Sequence, residues 1–141
     1  MAFLGFRFGL RAAEAALLRV RDVVGIGSGM FVIVERTTDR NVKTPNGRRT
    51  VPLVFRLSAD ELSALTTILA QARERARTDN DALLLADPAR PSALVSKDGI
   101  ARRVALELKA ATGNSHLTDH HLRHSFASTI WQALEYPSHL P

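Results

Sequence analysis

The chain has 141 residues, a length that predicts one compact domain and disfavours a second complete one. Hydrophobic residues make up 45% of the sequence and charged residues 23%, which can supply a core and argues against disorder, collagen and low complexity. The sequence has no Cys, and this excludes disulfide frameworks, thiolate zinc sites and cysteine nucleophiles.

The net charge of +5 comes from 19 Lys or Arg against 14 Asp or Glu. Such an excess favours a polyanionic partner, because basic groups neutralise phosphates and release counterions, although it also occurs in proteins without one. The longest stretch without a charge, Val23 to Val34, is too short to span a bilayer. Arg7 interrupts any secretory apolar segment, so we expect a cytoplasmic protein.

The first predicted element is an amphipathic helix from Gly9 to Val20, in which apolar residues recur at helical spacing. We place Glu14 away from its apolar face. A glycine-rich turn over 24–29 ends the helix, and the β-branched and aromatic run from Met30 to Val34 then predicts a strand.

A tight turn is predicted at Thr44 to Gly47, where Asn-Gly readily adopts positive φ. A short strand is expected on each side of it. The second of these, Arg49 to Leu53, contains Pro52, which favours a sheet edge or a strand end. These elements predict a small three-stranded antiparallel sheet.

The second half of the chain is predicted to be helical. Ser58 and Glu61 form a capping-box pattern at the start of a helix that ends near Arg77. Another helix includes Ile100 and Val104 and ends at Gly113. A last helix begins at 118 or 119 and ends at Pro137, with four apolar residues directed inward: Leu122, Phe126, Ile130 and Ala133.

On a helical wheel, the last helix has a cationic side formed by His120, Arg123 and His124. The residue types alone leave open a solvated face, or a metal bound by the two histidines together with a third ligand. No His-Glu-x-x-His pattern supports the metal, and we predict none.

Three segments, taken together, resemble the tyrosine recombinase (phage integrase) family. Thr118 to Ser128 resembles its His-x-x-Arg box, and Gly9 to Glu14 is similar to its first box, G-L-R-x-x-E. Lys43 to Leu53 resembles its β-hairpin, K-T-x-x-G-x-x-R-x-V-P-L. The three segments occur in the family's order, and the resemblance extends from Gly9 to Leu134. It implies a predominantly helical α+β catalytic core.

The resemblance implies a DNA strand-exchange reaction through a phosphotyrosyl intermediate, with no cofactor, in a DNA-associated protein of a bacterium or phage. Arg11 and Arg123 match the phosphate-binding arginines, whose guanidiniums supply permanent bidentate donors. Lys43 matches the family's proton-transferring Lys, His120 matches a His assigned to proton transfer or phosphate binding, and Glu14 would orient a guanidinium. We expect two further phosphate contacts, from Arg48 and Arg49.

The family also has a His or Trp and a nucleophilic Tyr well after its His-x-x-Arg box, and this sequence ends at Pro141. Tyr136 does not match the context of that Tyr. We therefore expect 1–141 to be a partial catalytic domain, without the core-binding domain and the Tyr segment, and to be inactive alone. The alternatives are a non-catalytic DNA-binding or assembly module and a small protein-interaction domain.

We expect double-stranded DNA as a partner and no membrane. Missing segments would leave apolar surface uncovered, so the sequence also predicts a homo-oligomer, with possible exchange of 1–8 or 135–141 between chains.

Overall fold

The computed structural model describes residues 2–25, 29–35, 48–77, 81–86 and 95–136. Within these ranges the protein is mostly helical, with one small sheet, as the sequence predicts. The α-helices are α1 (Ala2–Phe8), α2 (Ala12–Ala16), α3 (Ala59–Ala76), α4 (Lys97–Thr112) and α5 (Asp119–Glu135). A turn of 3₁₀ helix at Val20–Asp22 leads into β1 (Val23–Val24), followed by β2 (Phe31–Val34) and β3 (Arg49–Pro52).

The sheet has three antiparallel strands in the order β1-β2-β3. The first strand of this sheet differs from the prediction. It is Val23–Val24, which pairs with Val32 and Phe31, where we expected the end of a helix and a turn. Arg49, the first residue of β3, pairs with Val34. The predicted turn at Thr44 to Gly47 and the strand expected before it lie outside the described residues.

The predicted single helix from Gly9 to Val20 is wrong. Helix α2 ends at Ala16 because the following backbone bonds to a distant segment: Leu84 donates to the carbonyl of Leu18 at 2.7 Å, and Val20 donates to that of Ala82 at 2.9 Å. Glu14 is also buried rather than directed away from the core. Helical spacing cannot reveal such long-range backbone hydrogen bonds.

Helix α3 packs against the 3₁₀ turn and shares the main hydrophobic core with the sheet. Its capping box is confirmed: Glu61 N donates to Ser58 Oγ at 3.2 Å, and Ser58 N donates to a Glu61 oxygen at 2.9 Å. Buried Leu65 and Leu69 belong to the same core as Val32 and Val34 of β2. Helix α4 ends at Gly113 in the left-handed conformation, as predicted, and contributes Ile100 and Val104 to a smaller second cluster.

Helix α5 lies against α1 at two glycines. A Cβ on Gly5 would be 3.3 Å from Leu122, and one on Gly9, whose φ is +58°, would be 2.5 Å from the Phe126 ring. The two glycines therefore allow a close approach of the helices. The four predicted inward residues of α5 are half-buried, but no residue of α5 is fully buried. Trp131 and Leu134 are 63% and 74% exposed. No described helix is both long and apolar enough to cross a bilayer.

Candidate phosphate-binding site

Arg11 lies at the start of α2, where the chain leaves α1. Its extended backbone places the Arg11 N–H 2.8 Å from Glu14 Oε2, so the Glu14 side chain caps the helix that carries it. The Arg11 guanidinium also donates to Glu14 Oε1 at 3.1 Å. The Arg11 side chain is 57% exposed. It is therefore fixed at its base and accessible at its charged end.

Arg49 reaches the same carboxylate from the sheet. Its two terminal nitrogens donate one to each Glu14 oxygen, at 3.1 and 2.8 Å. The side chains of Glu14 and Arg49 are 8% and 24% exposed. This bidentate pair is largely withdrawn from solvent and connects β3 to α2.

Arg123 approaches from α5. Its Nη1 donates to the carbonyl of Gly9 and lies 3.9 Å from Glu14 Oε2. Its side chain is 31% exposed. Three segments that are far apart in the chain thus bring three guanidiniums around one carboxylate. We call Arg11, Glu14, Arg49 and Arg123 the arginine cluster.

The electrostatics of the arginine cluster keep Glu14 ionised. Burial raises its pKa, but hydrogen bonds from Arg49 and from the Arg11 backbone, with the charges of both arginines, outweigh burial and leave the pKa below its ordinary value. Burial, followed by the positive charges of Arg11 and Arg49, lowers the pKa of Arg123. Because arginine remains protonated near neutral pH, the four groups carry a net charge of about +2.

Three other predicted site residues, Arg48, His120 and Lys43, are not part of the arginine cluster as the structure describes it. Arg48 is exposed and lies 3.6 Å from Glu35. His120 is an exposed residue in the first turn of α5, and its ring contacts that of His124 edge to face at 4.5 Å between centroids. Lys43 lies outside the described residues. The roles of all three stay predictions.

A cavity of about 370 Å³ opens beside Arg49 and Arg123, lined otherwise mainly by apolar residues of α5. A larger one, of about 990 Å³, has Phe6, Arg7 and Tyr136 in its wall. Within the described ranges, no three His, Asp or Glu side chains form a group that could hold a metal ion.

Comparison with known proteins determines the family. The model of the phage integrase family matches residues 1–134. The chain belongs to the phage integrase family. The crystal structure of XerA recombinase is similar, with a TM-score of 0.64 and 24% sequence identity, over 93% of this chain and 41% of that one. At this identity the likeness shows the fold alone. No curated protein matches the sequence.

This integrase-family chain therefore spans less than half the length of the structure it resembles. Its first box and its His-x-x-Arg box do bring Arg11 and Arg123 to one carboxylate. Sequence reasoning missed the pairing of Arg49 with Glu14, since the two residues are 35 positions apart and no local pattern connects them. The resemblance to the family's hairpin identified Arg49 as a site residue, but the role it implied was a contact with DNA phosphate.

Proposed function

We propose that this chain is part of a tyrosine recombinase catalytic domain that acts in DNA recombination or integration, by strand cleavage and rejoining through a phosphotyrosyl intermediate. The observation that carries the proposal is the meeting of Arg11 and Arg123 at Glu14, which the family's two arginine boxes lead one to expect. The proposal rests equally on the family match and on the fold.

The chemistry of phosphate esters gives the arginine cluster its role. Negative charge increases on the non-bridging oxygens as a phosphoryl group is transferred, and preorganised guanidiniums stabilise that charge. Arg11 offers the more exposed donor group, and Arg123 offers a less exposed one beside the carbonyl of Gly9. In this proposal Lys43 transfers a proton, His120 transfers a proton or binds phosphate, and Arg48 contacts the phosphate backbone of the DNA. Neither a metal nor another cofactor is invoked.

A second role, a DNA-binding or assembly module without catalysis, is favoured by one observation. Tyr136 is the only Tyr in the sequence, and it follows the last residue of α5, far along the helix from Arg123. The arginine cluster can bind phosphate without a nucleophile, so this role uses the same surface.

Binding of duplex DNA tests both roles. We expect weak affinity, with a Kd on the order of 10⁻⁴ to 10⁻⁶ M near physiological salt, that falls steeply as salt increases. Arg11→Gln and Arg123→Gln should each lower the slope of log K against log salt by about 1, since each removes one phosphate contact. Fluorescence anisotropy with a labelled duplex across a KCl series measures both quantities.

The matched control is Arg103→Gln, which removes the same charge from an exposed pair with Glu107 on α4. Circular dichroism confirms that each variant is folded. Variants of Arg11 and Arg123 that behave like Arg103→Gln, or binding that does not respond to salt, would contradict the proposal.

We also propose that the chain associates with a second copy through the uncovered side of α5, with exchange of the α1 segment as one form of this contact. Trp131 and Leu134 project from this side into solvent, and apolar surface of this kind tends to find a partner. Light scattering should show a dimer, and Trp131→Gln should weaken it at least about tenfold, since buried Trp side chains dominate interfaces. Leu106→Gln on α4, which is also exposed, is the control. A monodisperse monomer at high concentration would exclude the dimer.

A further inference from the structure

Arg49 occupies a different position from the other two arginines of the cluster. It is the least exposed of the three, and both of its terminal nitrogens donate to Glu14. Arg11 uses one nitrogen of its guanidinium for that carboxylate and is mostly exposed. Arg49 is thus directed into the protein, where a DNA phosphate has less access to it.

The acceptor positions of Glu14 show what Arg49 does there. Oε1 accepts from the side chains of Arg11 and Arg49, and Oε2 accepts from the Arg11 backbone and Arg49. Arg123 Nη1 lies 3.9 Å from Oε2, too far for a hydrogen bond, and donates to the Gly9 carbonyl. The carboxylate is already fully hydrogen-bonded when Arg123 approaches it.

Without Arg49, Glu14 would lose two hydrogen bonds while remaining buried. A buried carboxylate requires partners, and among the residues that the structure describes Arg123 is the nearest further cation. The Arg123 guanidinium would then form a direct ion pair with Glu14, and its charge would no longer be available to a ligand.

We propose that Arg49 is a positioning residue, which occupies Glu14 so that Arg123 stays available to a DNA phosphate. The inference rests on the proposed function, and it replaces the direct phosphate contact that the hairpin resemblance suggests for Arg49. Because Arg49 begins β3, the same pair also fixes the end of the sheet to α2 at the arginine cluster.

Second-site rescue tests this role. Arg49→Gln should weaken duplex DNA binding about tenfold and lower its salt slope by about 1, because Glu14 captures Arg123. The double variant Glu14→Gln/Arg49→Gln should recover the wild-type slope and most of the affinity, because the neutral amide releases Arg123. An arginine that contacts phosphate directly gives a different result: its contact is missing from both variants, so the salt slope of the double variant stays about 1 below that of the wild type.

Arg49→Lys is the conservative variant and serves if Arg49→Gln does not fold. Lysine retains the charge but cannot bridge both oxygens of Glu14, so we expect an intermediate loss that Glu14→Gln again relieves. If the wild type binds DNA but Glu14→Gln rescues neither Arg49→Gln nor Arg49→Lys, this inference is overturned and the proposed function stays intact. Failure of the wild type to bind DNA even at low salt overturns both.

Discussion

A nicked suicide substrate incubated with the 141-residue chain should give no covalent protein–DNA adduct. Covalent catalysis needs a nucleophile in line with the leaving oxygen and within bonding reach, however well the phosphate is held. Helix α5 continues through Glu135, and Tyr136 N still donates to the carbonyl of Gln132 at 2.8 Å. The Tyr136 backbone is therefore roughly 20 Å along the helix axis from that of Arg123, at 1.5 Å per residue.

The surroundings of Tyr136 support the same expectation. Its side chain contributes to the larger cavity beside Phe6 and Arg7, whereas Arg49 and Arg123 border the smaller one. Denaturing gel electrophoresis of labelled DNA measures the adduct. A band that disappears in Tyr136→Phe would make Tyr136 the nucleophile and contradict this prediction, and a neighbouring copy would then be the source to examine. A band that persists in that variant would point to another residue.

Glu14→Gln should lower the free energy of unfolding by about 2 kcal/mol at neutral pH, less than the loss of one partner from a fully buried ion pair because the arginines are partly exposed. Glu14 accepts hydrogen bonds from two arginines and is near a third, so its neutralisation removes the negative charge that these three guanidiniums face. Urea denaturation measures the difference. Glu107→Gln, in an exposed pair on α4, should change stability by less than about 0.5 kcal/mol and is the control.

The difference in free energy of unfolding between wild type and Glu14→Gln should depend on pH. The pKa of Glu14 in the folded protein is below its ordinary value of 4.5, so the contribution of its charge is fully present above pH 4.5 and is lost as the pH falls through the folded pKa. The stability difference between wild type and Glu14→Gln should therefore be constant near neutral pH and decrease in acid. The hydrogen bond from Arg7 also lowers the pKa of Glu61. Glu61 is present in both proteins, so its contribution to the pH dependence cancels in the difference. A difference that grows in acid, or no difference at pH 7, would be inconsistent with the ion pairs described.

The sequence predicted local features best where one short pattern determines them. The capping box at Ser58 and the left-handed Gly113 were correct, because each depends on a few adjacent residues. The helix predicted from Gly9 to Val20 was wrong because hydrogen bonds to the 82–84 segment replace its second half. Helix α1 was not predicted, since its seven residues give too few repeats of the apolar spacing.

At the candidate site the structure shows only which of the selected residues lie together, and their roles stay predictions. The resemblance selected Arg11, Glu14 and Arg123, and the structure places all three in one cluster. The pairing of Arg49 with Glu14 depends on the position of β3 relative to α2, which only the folded chain determines. Lys43 is outside the described residues, and the role of His120 in proton transfer or phosphate binding stays a prediction.

Helix α5 supplies Arg123 to the arginine cluster although it contributes no fully buried residue to the core. We therefore expect α5 to detach at a smaller free-energy cost than that of unfolding α3 and the sheet. A partner that covers Trp131 and Leu134 and binds only the attached helix would favour that state, and with it a complete cluster. Thermodynamic linkage makes the effect reciprocal: a phosphate bound at Arg123 strengthens that association by the same factor. Assembly on DNA would then be cooperative without any contact between the partner and the phosphate.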